Sequence, residues 1–319
     1  MNPSQGVSPM SNTLPASVLI TEVGPRDGLQ NEKQPVATDI KVSLCERLLA
    51  AGVSQLEVTS FVSPKWVPQM ADAAEVLARL PRRTGLTLSA LTPNMKGFEA
   101  ALASGVDEVV IFGAASEAFS MRNTNCSVAE SIERFRPVAE QARAHGIRLR
   151  AAISVAFGCP YQGEVPIDSV IDLVRRTRDL GCDEIGIADT IGVATVGHVK
   201  KVFEAAAREV PLAKLSGHFH DTYGQAVANV YGCLEVGVHR FDSAIAGLGG
   251  CPYAKGATGN VATEDLVWLF QGLGIETGLN LDALVEAGSW ISEQIGRRYS
   301  SRVGAALAAR RAPPEVQPT

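Results

Sequence analysis

Between residues 17 and 260, short runs of β-branched and apolar residues alternate with longer stretches in which apolar residues recur every three or four positions. The short runs are apolar at nearly consecutive positions, as strands covered on both faces require. Such alternation predicts successive βα units on a parallel sheet. Eight units can be counted, with strands expected at 17–23, 54–59, 86–91, 107–112, 147–156, 183–188, 214–219 and 240–245. Each is followed by a helical stretch, such as Ala37 to Ala51 or Val128 to His145. From about residue 263 onward the pattern stays helical, so further helices are expected beyond the eighth unit.

An open doubly wound sheet could use the same elements, but it usually carries a Gly-rich phosphate turn after its first strand and gathers function at one switch point. Here the unusual residues follow nearly every strand: Gly24 to Gly28, Ser60 to Lys65, Thr92 to Asn94, Gly113 to Glu117, Gly158 to Tyr161, Asp189-Thr190, His218 to Thr222 and Gly247 to Asn260. In a closed barrel these positions meet on one rim, the catalytic face of that fold. The expectation is therefore an α/β chain, a (β/α)₈ TIM barrel with additional C-terminal helices. It is read as one domain over residues 16–307, between a Pro- and Ser-bearing tail at 1–15 and a Pro-bearing tail at 308–319, both expected to be disordered.

Composition changes this picture little and narrows the partners. Of 319 residues, 46% are hydrophobic, ample for a barrel core. A net charge of −5 with no basic block argues against nucleic acid or an anionic membrane as partner. No apolar run reaches membrane-spanning length. The six cysteines, at 45, 126, 159, 182, 233 and 251, form no CxxC pair, and the N-terminal stretch lacks basic amphipathic character. Reduced thiols and a cytoplasmic location are expected. Cys45, Cys182 and Cys233 fall in regular patterns and read as core.

Candidate chemistry clusters at the strand ends. His218 and His220 are two apart on a strand, so both imidazoles face one side and can grip one ion. HxH alone fits two hydrogen-bonded histidines equally well. A carboxylate and oxygen donors alongside would make a hard site suited to Mg²⁺ or Mn²⁺. Arg26 and Asp27, fenced by Gly24, Pro25 and Gly28, would by themselves be a turn ion pair; the barrel brings them to the mouth that holds His218. The glycines are expected to fix a tight turn and let a ligand approach. Glu57, if it faces inward, needs a partner such as Arg26. The loop from Gly247 to Asn260 has five glycines and is expected to be mobile, with Cys251 at its centre as a reactive thiol or a small filler residue, and Asn260 as a neutral oxygen donor or, by itself, only a turn residue.

Several segments carry a resemblance to a known family: Glu22 to Glu32, Ser60 to Met70, Gly158 to Tyr161, Ala188 to Gly192, His218 to Ala226 and Gly247 to Ala254. Over roughly residues 17–307 the chain resembles 3-hydroxy-3-methylglutaryl-CoA lyase. The resemblance implies metal ligands at Asp27, His218, His220 and Asn260, a divalent ion of the Mg²⁺ or Mn²⁺ kind, a catalytic arginine at Arg26 and a loop cysteine at Cys251. It also implies supporting acids at Glu57 and Asp189, an acyl-CoA contact at Arg150, and a base at His218 or Asp27. The implied reaction is a retro-Claisen cleavage of the acyl-CoA to acetyl-CoA and acetoacetate, as in leucine degradation; a homodimer or higher homo-oligomer is expected because barrels with extra C-terminal helices often pair. Gln162, Thr124 and the Arg298 to Gly304 stretch depart from the family's usual residues, which leaves open a longer, isoprenoid-type side chain on the substrate. A non-catalytic acyl-CoA or metal-binding barrel is the contrasting reading.

Overall fold

The computed structural model describes residues 14–250 and 258–311. Eight parallel strands close on themselves in sequence order: β1 (Leu19–Glu22), β2 (Gln55–Ser60), β3 (Thr87–Leu91), β4 (Glu108–Ala114), β5 (Arg148–Ser154), β6 (Glu184–Asp189), β7 (Leu215–Phe219) and β8 (Arg240–Ser243). Outside them run α1 (Thr38–Ala50), α2 (Ala73–Arg79), α3 (Met95–Ala103), α4 (Glu117–Thr124), α5 (Val128–Ala144), α6 (Ile167–Leu180), α7 (Val196–Ala206), α8 (Ala226–Val236) and α9 (Thr263–Gly272). Two more helices, α10 (Leu281–Gln294) and α11 (Arg302–Arg311), complete the described chain. The expected TIM barrel with extra C-terminal helices is the observed fold.

The helices form where one stripe of the sequence is apolar. In α6, Val170, Ile171, Leu173, Val174 and Leu180 lie on the buried side, and the helix ends at Gly181, whose φ of 88° is a conformation glycine adopts without steric cost. In α5, Ser127 and Glu130 cap each other's backbone amides. The C-terminal helices pack on this chain's own barrel: α10 lies against α1, α9 and α11, with the Arg47 guanidinium 4.5 Å from the centre of the Trp290 ring.

Several boundaries differ from expectation, three of them for a local reason the structure shows. β5 stops at Ser154 because buried Val155 takes φ 53°, which is strained for a β-branched residue, while its amide donates to Thr190 Oγ1 at 2.8 Å. Leu14 packs on the core and Ala16 accepts a hydrogen bond from Glu276, so order reaches back to residue 14, inside the expected tail. At the other end α11 continues through Arg311, past the expected limit at 307, where Arg311 pairs with Asp282 and Glu286 of α10. The rest of the expected tails lies outside the described residues.

The glycines of the first loop also act differently from expectation. Residues 24–28 form a π-helical turn, and neither Gly24 nor Gly28 has a positive φ. A Cβ on Gly24 would sit 2.6 Å from Glu22 Oε1, and one on Gly28 would sit 2.8 Å from Leu248 Cβ. Their smallness makes room for protein atoms rather than for a ligand.

Two buried acids lock the rear of that region. Glu22 accepts from the Gly24 and Ile245 amides, each at 2.8 Å, and from Thr263 Oγ1. Glu264 accepts from the Ala246 amide and from Tyr299 Oη at 2.7 Å. Burial pushes the Glu22 carboxyl up to about 7 and the Glu264 carboxyl up to about 8, against the opposing pull of these hydrogen bonds. Each acid therefore holds its proton in the folded state at a pH where the unfolded chain has lost it. The stability they supply is complete below about pH 4.5 and is lost as pH rises through 7 to 8. Glu264→Gln, a permanent mimic of the neutral acid, should gain thermal midpoint relative to the parent by about 5 °C between pH 5 and 8. A parent-to-variant difference that stays flat across that range in scanning calorimetry would contradict this.

Candidate active site

The site begins at the end of β7. His218 pairs in register with Ala188 of β6 and Asp242 of β8, while His220 lies just beyond the strand. There the returning chain adds alongside: His220 and Asn260 form an antiparallel bridge, Val261 N donates to Phe219 O at 2.9 Å and Asp221 N to Gly259 O at 3.1 Å. Backbone pairing therefore delivers Asn260 to His220 across forty residues of sequence. Asp27 arrives from the turn after β1. Ligand atoms of Asp27, His218 and His220 all lie within 4.8 Å of one another.

Polar contacts order this cluster. Asn260 Nδ2 donates to Asp27 Oδ2 at 2.7 Å, and Arg26 Nη1 to Asp27 Oδ1 at 2.7 Å. Arg26 Nε pairs with Glu57, the inward-facing acid that needed a partner, at a register shift between β2 and β3 spanning Glu57 and Thr59. Bulged pairing of this kind re-aims a side chain. Arg26 Nη2 has no hydrogen-bond partner among the described residues. The Asn260 amide oxygen is buried and likewise unpartnered among them, an unusual cost unless a ligand claims it.

Protonation suits a cation at Asp27 and His220, while at His218 the Asp242 carboxylate outweighs burial and favours the charged ring, whose proton an ion would have to displace. Burial alone would raise the Asp27 carboxyl, but Arg26 first, then His218, His220 and the Asn260 amide, hold it well below the ordinary carboxylate range. Burial and the neighbouring His218 push His220 down to about 4, so it is neutral at pH 7 with a lone pair to offer. The chemistry of the donor set, one carboxylate, two imidazoles and one amide oxygen, fits a hard divalent ion.

Asp242 is the member of the site that inspection of the sequence missed. Its Oδ2 lies 3.0 Å from His218 Nδ1, and its other oxygen pairs with Arg150. A carboxylate holding Nδ1–H leaves Nε2 as the free donor atom and fixes the ring. The available signal was an acid inside the eighth expected strand, but only the register between β7 and β8 places it beside His218. Asp242→Asn should weaken Mn²⁺ binding by about 10- to 100-fold, measured by calorimetry; unchanged affinity would remove Asp242 from the support of the site.

The other expected residues are placed as follows. Arg150 is 2% exposed, lies 3.1 Å from Glu184 and lines the cavity, with Nη1 lacking a hydrogen-bond partner among the described residues. Asp189 does not line the cavity; its carboxylate accepts from the Val193 and Ala194 amides at 3.0 and 2.9 Å, holding the turn after β6. Burial pushes that acid up to about 6. Cys251 lies outside the described residues, although its neighbour Gly250 lines the cavity. Cys45, Cys182 and Cys233 are buried, as their sequence patterns suggested. The cavity holds about 1100 Å³ and opens at the C-terminal ends of the strands, where a barrel's loops converge.

Residues 17–291 match the family model described as HMGL-like. The chain belongs to the HMGL-like family. Among its relatives is the 3-hydroxy-3-isohexenylglutaryl-CoA/hydroxy-methylglutaryl-CoA lyase of Pseudomonas aeruginosa, 56% identical over 93% of this chain and 99% of that one. The mitochondrial hydroxymethylglutaryl-CoA lyase of Homo sapiens is 53% identical over 92% of this chain and 90% of its own. A crystal structure of hydroxymethylglutaryl-CoA lyase from Pseudomonas aeruginosa superposes with a TM-score of 0.91, covering 93% of this chain and 99% of that one. The lyase resemblance read from the motifs is thus borne out along nearly the whole chain. Among the described residues, no helix is long and apolar enough to cross a membrane.

Proposed function

We propose that this chain is a divalent-metal-dependent carbon–carbon lyase that cleaves 3-hydroxy-3-methylglutaryl-CoA to acetyl-CoA and acetoacetate. The observation that carries the reading is the convergence of Asp27, His218 and His220 beside Arg26 in one strand-end cavity of an HMGL-like barrel, with Asn260 hydrogen-bonded to Asp27 behind them. Asp27, His218, His220 and Asn260 would hold the ion, Mg²⁺ or Mn²⁺, which when bound supplies a Lewis acid that acidifies the substrate's tertiary hydroxyl.

The chain's own groups account for the remaining steps. The hydroxyl proton passes to Asp27, or to Nε2 of His218, oriented by Asp242, when that nitrogen is not engaged with the ion. The C2–C3 bond then breaks, its electron pair passing to the thioester as an enolate while the alkoxide carbon becomes the ketone of acetoacetate. Arg26, anchored by Glu57 and Asp27, has Nη2 left to meet the developing enolate oxygen. A proton delivered to C2, for which the Cys251 thiol is the candidate donor, completes acetyl-CoA. Arg150 and Asp189 act as supports, Arg150 from the cavity lining and Asp189 through the turn after β6.

The test is to supply 3-hydroxy-3-methylglutaryl-CoA and Mg²⁺ and measure acetoacetate. The expected result is equal amounts of acetoacetate and acetyl-CoA, loss of turnover on dialysis against a chelator, and recovery with Mg²⁺ or Mn²⁺. Substrate binding without turnover in the metal-loaded protein would overturn the reading in favour of a binding module.

One observation favours a second substrate. The cavity lining includes Val62, Leu91, Val110, Phe112 and Phe119, apolar surface that a methyl group would not fill. A relative at 56% identity carries the isohexenyl substrate in its name. Comparable kcat/KM for methyl and isohexenyl substrates supports both activities, whereas a preference for methyl above a thousandfold removes the second. The proposal also places the chain in the cytoplasm as a homodimer or higher homo-oligomer. The five free cysteines among the described residues suit a reducing compartment, and exposed Tyr231, Trp268 and Leu273 on the α8–α9 side suit a subunit contact. Light scattering after gel filtration reads the oligomeric state directly.

A further inference from the structure

We infer that Arg297, in the connection between α10 and α11, is a positioning residue for the candidate ligands Asn260 and Asp27. Its guanidinium spans two elements of the mouth: Nη1 pairs with Glu32 at 2.5 Å, and Nη2 donates to the Gly249 carbonyl at 2.8 Å. Beside it, Asn31 Nδ2 donates to the Gly250 carbonyl at 3.1 Å. The loop after β1 and the chain leaving β8 are thereby clamped together by a residue from outside the barrel.

The clamped backbone touches the site directly. A Cβ on Gly249 would lie 2.7 Å from Asn260 Nδ2, and the φ of 112° at Gly249 is reserved in practice for glycine, so the backbone there sits flush against the Asn260 amide. The adjacent Leu248 carbonyl accepts from both Asn260 N and Asn260 Nδ2 at 3.1 Å. The same Nδ2 donates to Asp27 Oδ2 at 2.7 Å. An unbroken path therefore runs from Arg297 through Gly249 and Leu248 to the amide of Asn260 and the carboxylate of Asp27.

The Arg297–Glu32 pair is partly exposed, at 29% and 18% of the side chains, so as an ion pair it contributes little to stability. Its value lies in geometry. A ligand amide whose backbone drifts by a fraction of an ångström loses its aim, and outer partners of metal ligands commonly alter affinity by about 10- to 100-fold.

This inference rests on the reading of Asp27 and Asn260 as ligands, and Mn²⁺ binding measured by electron paramagnetic resonance separates the two. If the parent binds no Mn²⁺, that reading fails first. If the parent binds, Arg297→Gln is expected to raise the Mn²⁺ dissociation constant about 10-fold and lower kcat with KM nearly constant, while the thermal midpoint stays within about 2 °C. Arg297→Lys, which keeps the charge but reaches one partner only, should recover part of the affinity. Glu32→Gln, which leaves the carbonyl contact in place, should raise the constant about 3-fold and serves where Arg297→Gln fails to fold. Parent-like Mn²⁺ affinity in Glu32→Gln and in whichever Arg297 variant folds would overturn the inference.

Discussion

Arg26→Met is expected to lower kcat for cleavage of 3-hydroxy-3-methylglutaryl-CoA about a thousandfold, with the Mn²⁺ dissociation constant changing less than about 10-fold. The guanidinium is held on two sides, by Glu57 at Nε and by Asp27 at Nη1, which leaves Nη2 in a water-poor site to meet charge that appears only as the carbon–carbon bond breaks. Removing one such preorganised donor costs about 10²- to 10³-fold in other enzymes, and this donor carries a full charge as well. Methionine keeps only the apolar stem and leaves Glu57 without its partner, so an unchanged thermal midpoint is the control that assigns the loss to chemistry. Arg26→Lys should not restore activity, because the three donors of an ammonium leave one nitrogen and cannot reach the separate places where Nε, Nη1 and Nη2 of the guanidinium act. The expected split matters: a transition-state contact lowers kcat and kcat/KM together, whereas a ground-state contact raises KM alone. Turnover within 10-fold of the parent would exclude Arg26 from the mechanism.

Asp27→Ala should have the largest effect on the ion. Asp27 is the one carboxylate in the four-residue cluster and is held ionised chiefly by Arg26 against the cost of burial, so it supplies the cluster's formal negative charge. Neutral imidazoles and an amide hold Mg²⁺ or Mn²⁺ poorly without it. The substitution also leaves the Asn260 amide without its 2.7 Å acceptor and frees Arg26 Nη1 to repel a cation. Mn²⁺ affinity should fall at least about 100-fold and turnover should fall to the detection limit at ordinary metal concentrations. Asp27→Asn is the sharper control, since it preserves shape and removes charge. Parent-like Mn²⁺ binding in both variants would place the ion elsewhere.

The two substitutions probe neighbours that are adjacent in sequence yet differ in what they owe to the fold. Arg26 and Asp27 were visible as an unusual pair after the first strand, but a turn ion pair was the plainer explanation of the pair by itself. His218 and His220 were visible as a spacing, which hydrogen-bonded histidines would satisfy equally. The motifs together were specific enough to point to the lyase family, because they span almost every strand end. Asp242 was not legible as a site residue: a lone acid in an apolar strand has no sequence signal that separates a ligand's support from a barrel ion pair. Arg297 was legible even less, since its partners are a carbonyl and a glutamate far away in the chain.

The sequence by itself determined the number and order of the strands, the closed barrel, and the residue types available at the rim. The strands follow from local periodicity, which is written in consecutive residues, and the closed barrel was preferred to an open sheet because unusual residues follow nearly every strand. Only the tertiary structure decided which of those residues meet. Register between β7 and β8 sets Asp242 on His218, and the returning strand brings Asn260 to His220 and Asp27. The packing of Gly24 and Gly28 against Glu22 and Leu248 shapes the turn that presents Arg26 and Asp27. Such contacts depend on closure of a ring between the first strand and the last, and no window of sequence contains both.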